Sequence, residues 1–189
     1  MLTWRRGQRL VERAKQRLRQ PEEAFIRKLK ENPPVRIPGT AAFLTPATTG
    51  MPVPLIHHLK HNRVLHERVL LVSVLTVEDP RVEDANRVEV VPISDGLTRM
   101  ILRYGFMETP DVKLGLSLAI SQDQLRGVDL SGLTYYLGHE TIVPSGRVPG
   151  MSIWREAMFA LFHRNAERSA AYFCVPSRQV VQIGVEIEI

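Results

Sequence analysis

Seven consecutive residues, Val69-Leu70-Leu71-Val72-Ser73-Val74-Leu75, are apolar at both odd and even positions, with a single serine among them. A strand with one wet face alternates apolar and polar side chains, so a run that is apolar on both parities is a strand covered on both faces. The run has strand length and falls far short of the roughly 18 apolar residues that a membrane-crossing helix needs. Ahead of it, Pro52 and Pro54 open a short helical segment through His61 that carries His57, His58, Lys60 and His61, followed by Leu65-His66-Glu67-Arg68. A helix feeding a fully buried strand is the unit from which α/β folds are built. The expectation is therefore an α/β fold.

The rest of the chain supplies the other layers. Thr40–Thr45 reads as the first strand, after a break at Asn32-Pro33-Pro34 and Pro38-Gly39, and 46–54 reads as a loop rich in Thr, Gly and Pro. Arg87-Val88-Glu89-Val90-Val91 and Thr98–Tyr104 alternate at period two around Asp95-Gly96, which predicts a hairpin. Pro110–Ser121 reads as a helix with Val112, Leu116 and Ala119 on its apolar side, and Leu133–Leu137 as a short strand. Val143–Gly150 reads as a loop. In Met151–His163, Ile153, Trp154, Ala157, Met158, Leu161 and Phe162 recur at three and four, the pattern of an amphipathic helix. From Ile183 the chain alternates strictly to Ile189, a last strand. The expected architecture is a mixed sheet of about six strands with flanking helices, preceded by a basic N-terminal helix.

Charge divides the chain. Residues 1–30 hold ten Lys/Arg against three Glu, or +7, whereas the remaining residues hold fifteen against seventeen, or −2. All excess basicity is N-terminal. Leu10, Ala14 and Leu18 recur at helical spacing among Arg9, Arg13, Lys15, Arg17 and Arg19, and Pro21-Glu22-Glu23 opens a second short helix through Leu29. This predicts two parts: a basic helical segment over 1–32 and an α/β domain over 36–189. The basic segment fits an anionic lipid surface, each basic residue near such a surface contributing about 1 kcal/mol. Trp4, Arg5, Arg6, Arg9 and Arg13 are the candidate membrane-surface residues, with Trp4 at the interface and Arg5-Arg6 just inside. A nucleic acid could exploit the same charge, but no reading motif accompanies it and the rest of the chain is slightly acidic.

No constellation for catalysis stands out. His57 and His61 share a helix face, yet a zinc site needs a third protein ligand, and the Glu of a His-Glu-x-x-His site is absent. Cys174, the single cysteine, excludes an internal disulfide and, beside Tyr172 and Phe173, reads as a buried hydrophobe. Neither a Gly-x-Ser-x-Gly elbow nor a phosphate-cradling glycine loop is present. The expectation is a protein without enzymatic activity or cofactor. Arg103, Tyr104, Glu108 and the stretch from Tyr135 to His139 and Glu140 fall at strand ends, where open α/β sheets take ligands. Together with His57, Lys60, His61 and His66 they form the candidate effector or interface set. A satisfied hydrogen-bond network holding neighbouring loops is the structural alternative for the strand-end residues.

Six ordered blocks carry a resemblance: Pro38-Gly39-Thr40-Ala41, Leu59-Lys60-His61-Asn62, Val64-Leu65-His66-Glu67-Arg68, Arg103-Tyr104-Gly105-Phe106-Met107-Glu108, Tyr136-Leu137-Gly138 with Glu140-Thr141, and Trp154-Arg155-Glu156. In these the chain closely resembles the cytoplasmic C-terminal domain of the Kup family of bacterial potassium uptake transporters, over nearly its whole length. Met1–Gly7 is similar to the end of that family's final membrane helix. The resemblance implies a regulatory or dimerisation domain on the cytoplasmic face of the inner membrane, attached to a membrane part that imports K⁺ with protons. It implies as partners that membrane part, anionic lipid at the N-terminus, a second copy and, by analogy with related transporters outside the family, a cyclic dinucleotide. The alternatives are a free-standing nucleotide- or effector-binding module, which requires a gene that starts at Met1, and a nucleic-acid binder using the basic N-terminus.

Overall fold

The computed structural model describes residues 20–143 and 173–188. The basic helix before residue 20, with Trp4, Arg5, Arg6, Arg9 and Arg13, and the expected helix over Met151–His163 lie outside the described residues. The elements in chain order are α1 (Glu22–Glu31), β1 (Val35–Thr45), α2 (Val53–Asn62), β2 (Val64–Val77), α3 (Asp84–Arg87), β3 (Val88–Ser94), β4 (Leu97–Gly105), α4 (Val112–Ser121), β5 (Thr134–Val143) and β6 (Val180–Glu188). The expected α/β class is what the chain adopts. One sheet holds six strands in the order β3-β4-β2-β1-β5-β6. All neighbours are parallel except β3, which runs antiparallel to β4 at one edge.

The double parity of the Val69–Val72 run decides the layering. Leu70 and Val72 enter one core with Ala42, Leu44, Met100, Leu102 and Tyr135, roofed by Val112, Leu116 and Ala119 of α4. Val69 and Leu71 enter the other with Ala41, Phe43 and Tyr136, roofed by Phe25 of α1 and Leu55 of α2. The run is therefore buried on both faces, one core on each side of the sheet. The winding of the sheet reverses at β1: β2 and β4 are added on one side of it, β5 and β6 on the other. That reversal places a topological switch point between β1 and β5.

Several boundaries differ from the sequence reading. Strand β1 starts at Val35, because the Pro38-Gly39 step is a slip in register between Ile37 and Thr40 and not a break. Strand β2 likewise starts at Val64: Arg63 adopts left-handed φ 56 and closes α2 through its N–H to Leu59 O, so Leu65–Arg68 is already strand. Helix α4 begins after Pro110, since Asp111 caps it by accepting from Leu114 N at 2.9 Å. Arg87 ends a four-residue helix and does not open β3. Cys174 is exposed with φ 50, contrary to the expected burial: a turn there carries it outward.

The Asp95-Gly96 hairpin forms as expected, with Gly96 at φ +69. A Cβ on Gly96 would lie 2.4 Å from Glu67 O, so both backbone conformation and space require glycine.

Candidate functional site

Helix α2 puts its histidines on two sides. Leu55 and His58 are three apart and both buried, and His58 is 6 % exposed. His57 and His61 lie on the other side with ring centroids 5.8 Å apart, and Lys60 is exposed. Burial and then the charges of His61 and Lys60 hold the His57 pKa below its usual value. Among the described residues no third ligand joins any pair to form a metal-binding group.

His58 instead joins a buried aromatic cluster. Its ring lies 4.9 Å from Tyr136 and 5.8 Å from Phe43, which stacks on Tyr136 at 4.6 Å. His66, 8 % exposed, lies 6.3 Å from His58 and 6.0 Å from Tyr136. Asn62 Nδ2 meets His58 Nδ1 at 3.0 Å, while His58 Nε2 and His66 Nδ1 are buried without a partner. Burial lowers the pKa of both histidines, and each stays neutral near pH 7 because a second proton would place an uncompensated charge in the core. His58 was not among the candidates from the sequence. Its phase, three residues after Leu55, is the signal that marks it as inward.

Arg103, Tyr104 and Glu108 belong to a second cluster at the far end of β4. The Glu108 carboxylate accepts from Gly105 N at 2.7 Å, Val82 N at 3.0 Å and Arg87 Nη2 at 2.8 Å. The Arg87 hydrogen bond leads in pulling the Glu108 carboxyl down to about 2. Arg87, 7 % exposed, also donates to Asp84 and Val82 O, and its guanidinium lies 4.9 Å over the Tyr104 ring. The Tyr104 hydroxyl donates to Asp111 O, and burial raises its pKa. Arg103 pairs with Glu89 across the hairpin. These bonds tie the loop after β2, α3 and the start of α4 together. Arg87 was missed because in sequence it reads as the polar first residue of an alternating strand.

His139 is exposed on β5, and Glu140 sits in register with Val185 of β6. Around the switch point the loop after β1 is tied down. Ser73 Oγ donates to Ala47 O at 2.6 Å, and Gly50 N donates to Glu22 Oε1 at 3.0 Å. Arg99 Nη2 donates to Glu22 Oε1 at 2.5 Å and to Gly50 O at 2.9 Å. Met51, fully buried, bridges to Gln20 through backbone. The structure thus shows two clusters, His58/His66 under α2 and Arg87/Tyr104/Glu108 beyond β4; of the candidates, His66 falls in the first and Tyr104 and Glu108 in the second, while His57, Lys60, His61, His139 and Glu140 fall in neither. Neither aligns a nucleophile with a base. The Glu22–Arg99–Gly50 clasp is a third feature, one that links the N-terminal segment to the sheet.

Among the described residues no helix is long and apolar enough to cross a membrane, and the α/β sheet holds Glu22 of α1 through Arg99. Residues 38–189 match the family described as the K+ potassium transporter C-terminal domain, and the chain belongs to that family. Its whole length is 55% identical to a probable potassium transport system protein Kup 3 of Bradyrhizobium diazoefficiens, of which it covers 31%. It is 41% identical over 191 residues to a probable potassium transport system protein Kup of Myxococcus xanthus, covering 28% of it, and 41% identical to a Kup of Pseudomonas aeruginosa, covering 29%. The chain spans about a third of the length of these curated relatives. No solved structure matches it.

Proposed function

We propose that this chain is the cytoplasmic domain of a potassium uptake transporter, where it regulates transport and pairs with a second copy. In this reading the full-length protein carries K⁺ with H⁺ across the bacterial inner membrane, and the domain catalyses no reaction. The observation that carries it is the docking of residues 20–22 onto the sheet through Arg99 and Gly50, in a chain whose relatives are potassium transport proteins. A module at the end of a membrane segment biases transport only if its own states differ in free energy with the state of that segment. A clasp at the segment's end supplies such a link. Anionic lipid is the proposed partner of Trp4, Arg5, Arg6, Arg9 and Arg13. A cyclic dinucleotide is the proposed effector by analogy alone.

The test is a chimaera in which this chain replaces the matching C-terminal third of the Bradyrhizobium Kup 3 relative, in a strain deficient in potassium uptake. Growth on low potassium by the chimaera, and impaired growth when the third is simply deleted, is the expected result. A chimaera that inserts but fails, or a deletion that grows normally, contradicts the reading. Sedimentation of the isolated chain at tens of micromolar tests pairing, and a monomer would count against it. Titration with cyclic di-AMP tests the effector, and no heat at high micromolar ligand would exclude it.

A further inference from the structure

On the α4 face of the sheet the cover is incomplete. Ten residues of α4 span about 15 Å, whereas the fourteen of β2 span about 46 Å. The helix roofs the carboxyl half and leaves the amino half to the loop after it. There the floor is a row across three strands, Leu70, Thr98 and Pro92, in direct register. Leu125 and Val128 of the loop form the wall of a cavity of about 440 Å³ that is open to solvent on one side, where Arg68 and Arg126 are exposed. A space of that size, apolar with a few polar groups, is of the kind that binds small molecules.

Its charge is what selects an occupant. Two guanidiniums line the cavity, and Arg126 is committed to Asp123 through Nε at 2.8 Å and a second contact. Arg68 forms no ion pair among the described residues. It is nonetheless held close to the loop: a Cβ on Gly127 would lie 2.9 Å from both Nη1 and Nη2 of Arg68. Gly127 also has φ +67, so the position needs glycine on both counts. An uncommitted guanidinium beside apolar walls, in a cavity that Thr98 and Gln124 also line, fits a ligand with an oxyanion at one end and an apolar body at the other.

We propose that this cavity binds a small organic oxyanion, a carboxylate or phosphate monoester on a single apolar ring system, with Arg68 as its anion partner. The site lies at the amino ends of the parallel strands, away from the switch point, the His58/His66 cluster and the Arg87/Glu108 cluster. It goes beyond the transporter reading and stands without it, since binding is measured on the chain itself.

The experiment titrates 1-naphthyl phosphate and 1-naphthoate into the 189-residue chain, with inorganic phosphate and 1-naphthol as the two half-ligands. Amide chemical shifts are followed in parallel. At least one naphthyl anion is expected to bind about tenfold more tightly than either half-ligand, with shifts concentrated at 96–98 and 124–128. The tighter of the two anions identifies the source of the charge. Arg68→Gln should weaken binding about tenfold with no change in melting temperature, and Arg27→Gln, on α1, should leave it unchanged. Val128→Trp, which fills the cavity, should abolish the shifts. The proposal is overturned if neither anion binds at millimolar concentration, if the shifts lie elsewhere, or if Arg68→Gln binds as the wild type does.

Discussion

Arg99 of β4 and Glu22 of α1 stand 77 positions apart in sequence and meet at 2.5 Å, with Gly50 between them bonded to both. Arg99 is 5 % exposed and its Nη1 has no partner, so the guanidinium depends on Glu22 and on one carbonyl. Removing one member of a buried pair leaves an uncompensated charge, which costs more than the pair itself contributes. Glu22→Gln should destabilise the chain by about 2–3 kcal/mol, below the usual range for buried pairs because the Glu22 side chain is one third exposed. Urea unfolding measures it. A loss below about 0.5 kcal/mol would show that the clasp is solvated and weak.

Helix α1 has one buried residue, Phe25, and it enters the core beneath Leu55 and Met51. Phe25→Ala should cost about 3 kcal/mol and should release α1 before the sheet, because no other side chain of that helix is buried. Hydrogen exchange reads the order. Protection at 22–31 should fall well before protection in β2. Simultaneous loss in both would mean that α1 and the sheet open as one unit.

Neutral His58 and His66 set a pH dependence whose sign follows from linkage. Both have folded pKa values below their ordinary 6.5, so the unfolded chain binds more protons as the pH falls. Their contribution is complete above about pH 6.5 and is lost progressively below it, by at most about 1.4 kcal/mol per pH unit for each histidine. His58→Phe keeps a ring against Phe43 and Tyr136 and removes one titration. The stability curve between pH 6.5 and 5 should become shallower. An unchanged slope would contradict the assignment.

Glu108 acts lower on the scale. Its carboxyl falls from the ordinary 4.5 to about 2, so it stabilises above pH 4.5 and loses that effect as the pH drops toward 2. Glu108→Gln should remove that part of the acid dependence while leaving the histidine part intact. Equilibrium unfolding from pH 5 to 2.5 separates the two.

The layering was legible because Val69–Val72 is apolar on both parities, a pattern that only burial on two faces explains. The hairpin was legible because Asp95-Gly96 is a local turn signal. The start of β1 was not, since Pro38-Gly39 marks a bulge and a chain break alike, and only pairing with β2 distinguishes them. Strand order was not legible either, because parallel pairing is set by distant segments and leaves no local periodicity. At the sites, the strand-end reading pointed to Arg103, Tyr104 and Glu108, but Arg87, the cation that Glu108 holds, has no local mark. His58 was overlooked for a different reason: histidine is neither polar nor apolar enough for its neighbours to settle its side of a helix. The Glu22–Arg99 clasp joins two residues that look like ordinary surface charges in sequence.

The most direct test of the account is rubidium uptake by the Bradyrhizobium chimaera, compared between the wild-type domain and Arg99→Gln at equal membrane abundance. If this chain is a transporter's domain gripped at its entry, the wild-type chimaera transports and Arg99→Gln changes the initial rate severalfold without loss of the protein. Equal rates for Arg99→Gln, wild type and a chimaera lacking the domain altogether would contradict it.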